Sequence, residues 1–372
     1  MAALEHLLCG HLFSPAIGQF RNRPVHLLPI LIVPKTFRLF LCKALIAAIP
    51  TVLLLGTYLL LDPFKVVRNY DSYYKNGVPS YVILNRDFVS TETFLVKNSV
   101  EHYDSFIFGN SRSLFYEVKE WQKHISSSRC FHFDASQESL YGIHSKICYL
   151  DRNGVNIQNA IIVLDASTLS QTTNSEGHLF RKDPKLSGES NWDFQRIYIG
   201  AFLDIKFIGA YLYFSLSGHY RESMMKQILD DRPMNYDLRS NEISFGAIET
   251  MIAKDPSSYY SGREKLFYPR STDAKSSPSV IGIPQKNMLS NLASTLKRHN
   301  CNFKIVINPL YDQQAIAQED LKYLKECFGR ETVFDFSGIN KFTQSYTNYY
   351  ETSHYRPHVA REIMAIIYRD KN

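Results

Sequence analysis

"FIFGNSRSLFY", residues 106–116, runs three strand-like apolar residues into Gly109-Asn110 and then sets Ser111 ahead of a helical pattern. Parallel α/β sheets place their sites at the carboxyl ends of strands, so a serine here is offered to chemistry. A serine before a helix is also a common cap. The rest of the chain has to decide between the two.

Outward from that stretch, strands and helices alternate. "SFIFGN" (105–110) reads as a buried strand, 113–127 as an amphipathic helix and "CFHFD" (130–134) as a second strand. A helix over 139–154, closed by Gly154, leads to the continuously apolar strand 159–167. After a gap come the helix 286–300, the strand 302–309, the helix 320–328, the short strand 332–337 and a last helix from Pro357. Such alternation predicts a parallel sheet covered on both faces. Ser111, Asp134, Asp165 and Asn308 fall at its carboxyl edge. The alternation stops between about 170 and 285, an insertion holding the aromatic-rich "RIYIGAFLDIKFIGAYLYFSLSG" (196–218) and the turn-rich 255–279, which reads as a mobile loop. The aromatic run can line a groove, lie on a membrane surface or pack on the core; its uncharged pieces are too short for a second span.

The net charge of +6 is unevenly placed: Arg21, Arg23, Lys35, Arg38 and Lys43 face only Glu5 within residues 1–61. The remaining 311 residues keep 37 basic against 35 acidic side chains (42 − 5 and 36 − 1), so the folded part is nearly neutral, unlike a nucleic-acid binder. "ALIAAIPTVLLLGTYLLL" (44–61) is 18 residues without a charge, enough with its flank to cross a bilayer. Residues 1–37 are therefore expected in the cytoplasm, 38–61 as a transmembrane helix, 62–100 as a linker or entry segment and 101–372 as an extracytoplasmic domain. The apolar patch "HLLPILIVP" (26–34) is too short and proline-broken to span. Six scattered cysteines show no metal spacing, so no metal site is expected. A Cys301–Cys327 bridge and two free thiols are both compatible with their positions. No Gly-rich phosphate loop occurs, and no cofactor is implied.

A serine hydroxyl becomes nucleophilic when a base takes its proton and a third group holds that base. "YETSHYRPHVAREIM" (350–364) supplies both, with Glu351 three residues before His354. His132 and His144 lie within predicted elements and read as packing residues; His358 reads as solvent-facing.

Together, "FGNSRS" (108–113) and "ETSHYRPHVAREIM" (351–364) resemble the SGNH/GDSL family of serine hydrolases and acyltransferases, over roughly 101–170 and 290–372. The continuation "HYRP" is similar to membrane-anchored bacterial members, such as alginate O-acetyltransferases and the D-alanyl-transfer protein of teichoic acid synthesis. The resemblance implies a flavodoxin-like sandwich with Ser111 as nucleophile, His354 as general base and Glu351 as the acid orienting it. It also implies a location on the bacterial inner membrane, transfer or removal of small acyl groups on an envelope polysaccharide, and a multi-span membrane acyl-donor partner. Three departures stand out. Glu351 replaces the usual Asp. The second block, "FDASQESLYG" (133–142), offers Ser136 or Gly142 for the oxyanion. The third ends in Asp165 where an oxyanion-donating Asn is usual, and losing such a donor costs about two to three powers of ten in rate. Asn110, Arg112 and Asn308 are further candidates for oxyanion or substrate contact. A silent glycan-binding or scaffold protein is the alternative, for which Asp165 argues.

Overall fold

The computed structural model describes residues 35–270 and 273–369. The patch 26–34, and the part of the expected cytoplasmic segment before Lys35, lie outside the described residues. The chain divides into two units, one ending at Val52 and a compact one from Leu53 onward. Helix α1 (Lys35–Leu61) has 27 residues and a mean hydropathy of 2.2 over its most apolar window. At 1.5 Å per residue it is about 40 Å long, enough to cross a membrane despite Pro50.

The compact unit is built on a five-stranded, all-parallel sheet of β1 (Ser105–Phe108), β2 (Cys130–His132), β3 (Asn159–Leu164), β4 (Asn302–Ile307) and β5 (Val333–Asp335). Their spatial order is β5-β4-β3-β1-β2. Every residue of β1 and β3 is buried, which is why these segments are apolar without alternation. Side chains leave the strands to opposite faces. Phe106, Phe108, Ala160 and Ile162 pack on α3 (Leu140–Arg152), α6 (Ile283–Arg298) and α7 (Gln318–Phe328). Ile107, Ile161, Val163 and Val306 pack on α8 (Pro357–Ile367) and the turn around Trp121.

Residues 62–100 are folded into the domain and are no linker. Phe64, Tyr73, Val82 and Phe88 form an aromatic core with the insertion, and α2 (Arg86–Glu101) sends Phe94 into the sheet core. The helix expected over 113–127 is a 3₁₀ turn, Ser111–Phe115, and one short helix, Val118–Trp121. The helical run is capped at Gln122, and Ser127 beyond it is tied to the Asp104 carboxylate, 23 residues earlier, at 2.6 Å. The strand expected over 159–167 stops at Leu164, because Asp165 caps the following helix through the Thr168 amide at 2.9 Å. Within 255–279, Pro256–Tyr260 is helical and buries Tyr259 and Tyr260. The aromatic run 196–218 is broken at Leu203-Asp204 into α4 (Asn191–Phe202) and α5 (Ile205–Ser217), bent by 70°. Cys301 and Cys327 are free thiols.

Candidate active site

In a β2-β1-β3-β4-β5 order, the strand direction of winding reverses between β1 and β3, and a crevice opens outside their carboxyl ends. Ser111 follows β1 and Asp165 follows β3, so both stand at that crevice. Gly109 permits the close approach: a Cβ there would lie 2.9 Å from the Cβ atoms of both Ser113 and Val163. Asn110 caps the turn, its Oδ1 accepting the Arg112 amide at 3.0 Å. The Ser113 carbonyl accepts from His132 Nε2 at 2.8 Å, and His132 Nδ1 lies 3.1 Å from Asp134 Oδ1. Burial pushes the Asp134 carboxyl up, but the Arg86 charge with the hydrogen bonds from His132 and Arg86 outweighs it and holds the carboxyl well below the usual range. The serine turn therefore rests on a buried polar chain reaching α2.

His354 Nε2 lies 2.8 Å from Ser111 Oγ, and His354 Nδ1 is hydrogen-bonded to Glu351 Oε1. The last two residues belong to a small antiparallel hairpin, Tyr349–Glu351 with His354–Tyr355, which pairs Glu351 with His354 directly. The Ser353 amide donates to Glu351 Oε2 at 2.6 Å, so both carboxylate oxygens are fixed. Burial pushes the Glu351 carboxyl up, but the bonds from His354 and Ser353 outweigh it and hold it below the ordinary glutamate value. An ionised Glu351 keeps a proton on Nδ1 and leaves Nε2 free to accept from Ser111. Phe115 stands edge-on to the imidazole at 5.9 Å. The first amide of a helical turn has no acceptor within the turn, which makes the Ser111 N–H the natural donor to charge developing beside its own hydroxyl.

Asp165 is buried, and its charge is matched locally. Arg112 reaches Oδ2 at 2.8 Å, Asn110 Nδ2 at 2.9 Å, and Ser167 Oγ bonds Oδ1 at 2.5 Å. Burial raises this carboxyl, and the Arg112 charge with those hydrogen bonds lowers it further than burial lifts it. Arg112 also donates to the Ser353 carbonyl at 2.9 Å, tying the serine turn to the histidine hairpin. Asn308, at the end of β4, accepts from Tyr355 Oη at 2.8 Å. Arg112, Asp165, Ser167 and Asn308 line a cleft of about 330 Å³. A larger cleft of about 690 Å³ is lined by Glu117, Asp237 and Glu242 among others, and neither cleft is lined by Ser111, His354 or Glu351. The smaller one adjoins the serine turn through Arg112 and Asp165.

Two candidates separate from this group. The Gly142 amide is committed to Ser139 Oγ at 2.9 Å inside α3, and a Cβ at 142 would lie 2.1 Å from Glu138 Oε1. Gly142 is thus a packing glycine over the buried Asp87–Glu138–Lys146–Lys182 cluster. Ser136 is half-buried in the turn after β2, and no hydrogen bond joins it to Ser111. His358 is half-buried and bonded to Asn348 Oδ1 at 3.0 Å, where solvent exposure was expected. The sequence reading missed the Ser353 amide and the Tyr355–Asn308 bond, since backbone donors and cross-hairpin contacts leave no residue signature. Among the described residues no cluster of three or more His, Cys, Asp or Glu side chains is arranged to hold a metal ion.

No family model and no curated protein matches this chain.

Proposed function

We propose that this chain is a membrane-anchored, extracytoplasmic serine acyltransferase or esterase of the SGNH kind, acting on small acyl groups of an envelope polysaccharide. The observation that carries the reading is the unbroken Ser111–His354–Glu351 chain at the crevice beyond β1. His354 Nε2 takes the Ser111 proton as Oγ attacks the acyl carbonyl, and returns it to the departing alkoxide, leaving an acyl-serine. An incoming hydroxyl, of a sugar in transfer or of water in hydrolysis, then gives its proton to His354 Nε2 and takes the acyl group, and the departing Ser111 Oγ recovers that proton from His354. The strand order is one of the common doubly wound orders, which supports the flavodoxin-like sandwich that the sequence resemblance implies. The basic bias before and within the N-terminal part of α1 supports a cytoplasmic N-terminus at a bacterial inner membrane. The pairing of Asp165 with Arg112 and Asn110 removes the objection that a bare carboxylate opposes the oxyanion. A multi-span partner supplying the acyl group from the other side of the membrane fits this arrangement.

Labelling of the full-length chain with a fluorophosphonate tests the reading. A covalent adduct on Ser111, lost in Ser111→Ala and His354→Ala, is the expected result. A folded, unlabelled protein that still retains glycan moves the assignment to a silent scaffold, with Ser111 a helix cap.

A further inference from the structure

We propose that helix α5 lies in the plane of the lipid interface beside the end of α1, docking the domain onto the bilayer through an aliphatic stripe. This rests on the reading of α1 as a membrane span. The inward side of α5 is accounted for: Phe207 and Phe214 are buried, and Phe207 stacks on Phe64 at 4.9 Å. The outward side is the anomaly. Ile205 is 84% exposed, Leu212 42% and Leu216 87%, and Gly209 is exposed between them. Spacings of four, three and four residues put all four on one helical stripe. A helix lying on a water-facing surface carries polar residues there. At the bend, Leu203 extends the stripe at 43% exposure.

The depth of this stripe follows from α1. Tyr58 lies three residues before the end of α1, about 4–5 Å along the axis. Its ring is 5.5 Å from Phe202, and its hydroxyl donates to Gln195 Oε1 at 2.7 Å. The α4–α5 bend is therefore level with the last turn of the apolar helix. A cleft of about 450 Å³ continues the contact, with Leu61 and Tyr81 on one side and Tyr211 and Phe214 on the other. The orientation follows from length. Thirteen residues span about 20 Å, short of a hydrocarbon core of roughly 30 Å, and the 70° bend prevents α4 from completing a straight span. The stripe is thus met by lipid lying alongside it, at the boundary between head groups and acyl chains. The polar flank agrees: Lys206 is exposed next to Ile205, and Arg221 lies over the Tyr213 ring at 4.8 Å. Arg68 donates to the Leu59 and Leu60 carbonyls at the end of α1. Cations and tyrosines of this kind suit the phosphate level of a bilayer.

The test uses the full-length chain in nanodiscs of phosphatidylcholine and phosphatidylglycerol, with phosphatidylcholine brominated in its acyl chains as quencher. The chain has two tryptophans; Trp121 is fully buried, and Trp192→Phe removes the exposed one. In that background Ile205→Trp and Leu216→Trp, both at exposed positions and so harmless to folding, should lose most of their emission to brominated lipid and resist aqueous acrylamide. Leu53→Trp, within α1, reports the span itself. Lipid quenching at 53 with acrylamide quenching at 205 and 216 overturns the docking and leaves the anchor. Absence of lipid quenching at 53 overturns both. Resistance of 205 and 216 to both quenchers means that protein covers the stripe, and also overturns it.

Discussion

Replacing Glu351 by Gln isolates the orienting role of the carboxylate. In the structure two donors face its two oxygens: His354 Nδ1–H at Oε1 and the Ser353 amide at Oε2. Glutamine has one acceptor oxygen and one NH₂ group, so it satisfies only one of them. Turned with NH₂ toward Ser353, it sets donor against donor and leaves an amide unpaired, at about 1–3 kcal/mol. Turned the other way, it forces the proton onto Nε2, and His354 then donates toward Ser111 when it must accept. In a fully buried triad the wrong tautomer costs on the order of 10⁴ in rate. Here the two side chains are 32% and 33% exposed, so water can restore part of the alignment. We expect Glu351→Gln to slow fluorophosphonate labelling by about 10²–10³, or about 3–4 kcal/mol, with thermal stability essentially unchanged. Glu351→Asp keeps both acceptors on a stem one carbon shorter and should fall between. A Glu351→Gln protein that labels at the parent rate would refute the orienting role and, with it, the triad.

Three further outcomes follow from other parts of the molecule. Arg112→Ala strands the buried Asp165 carboxylate; since the Arg112 side chain is 22% exposed, the loss should sit near the lower end for a broken buried pair, about 3 kcal/mol by urea unfolding. Adding Asp165→Asn should recover most of it, and failure to do so would show that Arg112 acts through Ser353 alone. Gly142→Ala drives a methyl group onto the ends of the Glu138 and Lys182 side chains within a buried four-charge cluster, and a loss of about 1–3 kcal/mol in the same assay is expected; an unchanged midpoint would mean that the cluster yields. Burial and the neighbouring Glu92 push the Asp183 carboxyl up to about 8, against an unfolded value near 3.8. A raised carboxyl favours the fold fully below about pH 4, and that contribution is lost as pH rises through 8. Asparagine can keep the 2.7 Å cap to the Lys185 amide without the charge. Asp183→Asn should therefore melt above the parent at pH 8, with the gap closing toward pH 4; a pH-independent gap would rule out titration of Asp183 as its cause.

Much of the molecule is legible in the chain because it depends on local chemistry. The strands β1, β3 and β4 follow from apolar runs that a doubly covered sheet requires, and the 27-residue α1 from its length and lack of acidic residues. The positions of Ser111, Glu351 and His354 at element ends are likewise written in the turns that flank them. What the chain alone left open is what distant partners decide. Residue types cannot tell that Asp165 meets Arg112, that the Gly142 amide is consumed by Ser139, or that Ser353 holds Glu351 from the backbone. The helix expected over 113–127 ends at Trp121, and Ser127 beyond it is held by Asp104, 23 residues away in the chain. Residues 62–100 look like a linker until the insertion supplies Phe194, Tyr198 and Phe207 to bury their aromatics. The 243-position separation of Ser111 and His354 is closed to 2.8 Å only by the sheet, because hydrogen-bond distance across such a separation is a property of packing and not of sequence spacing.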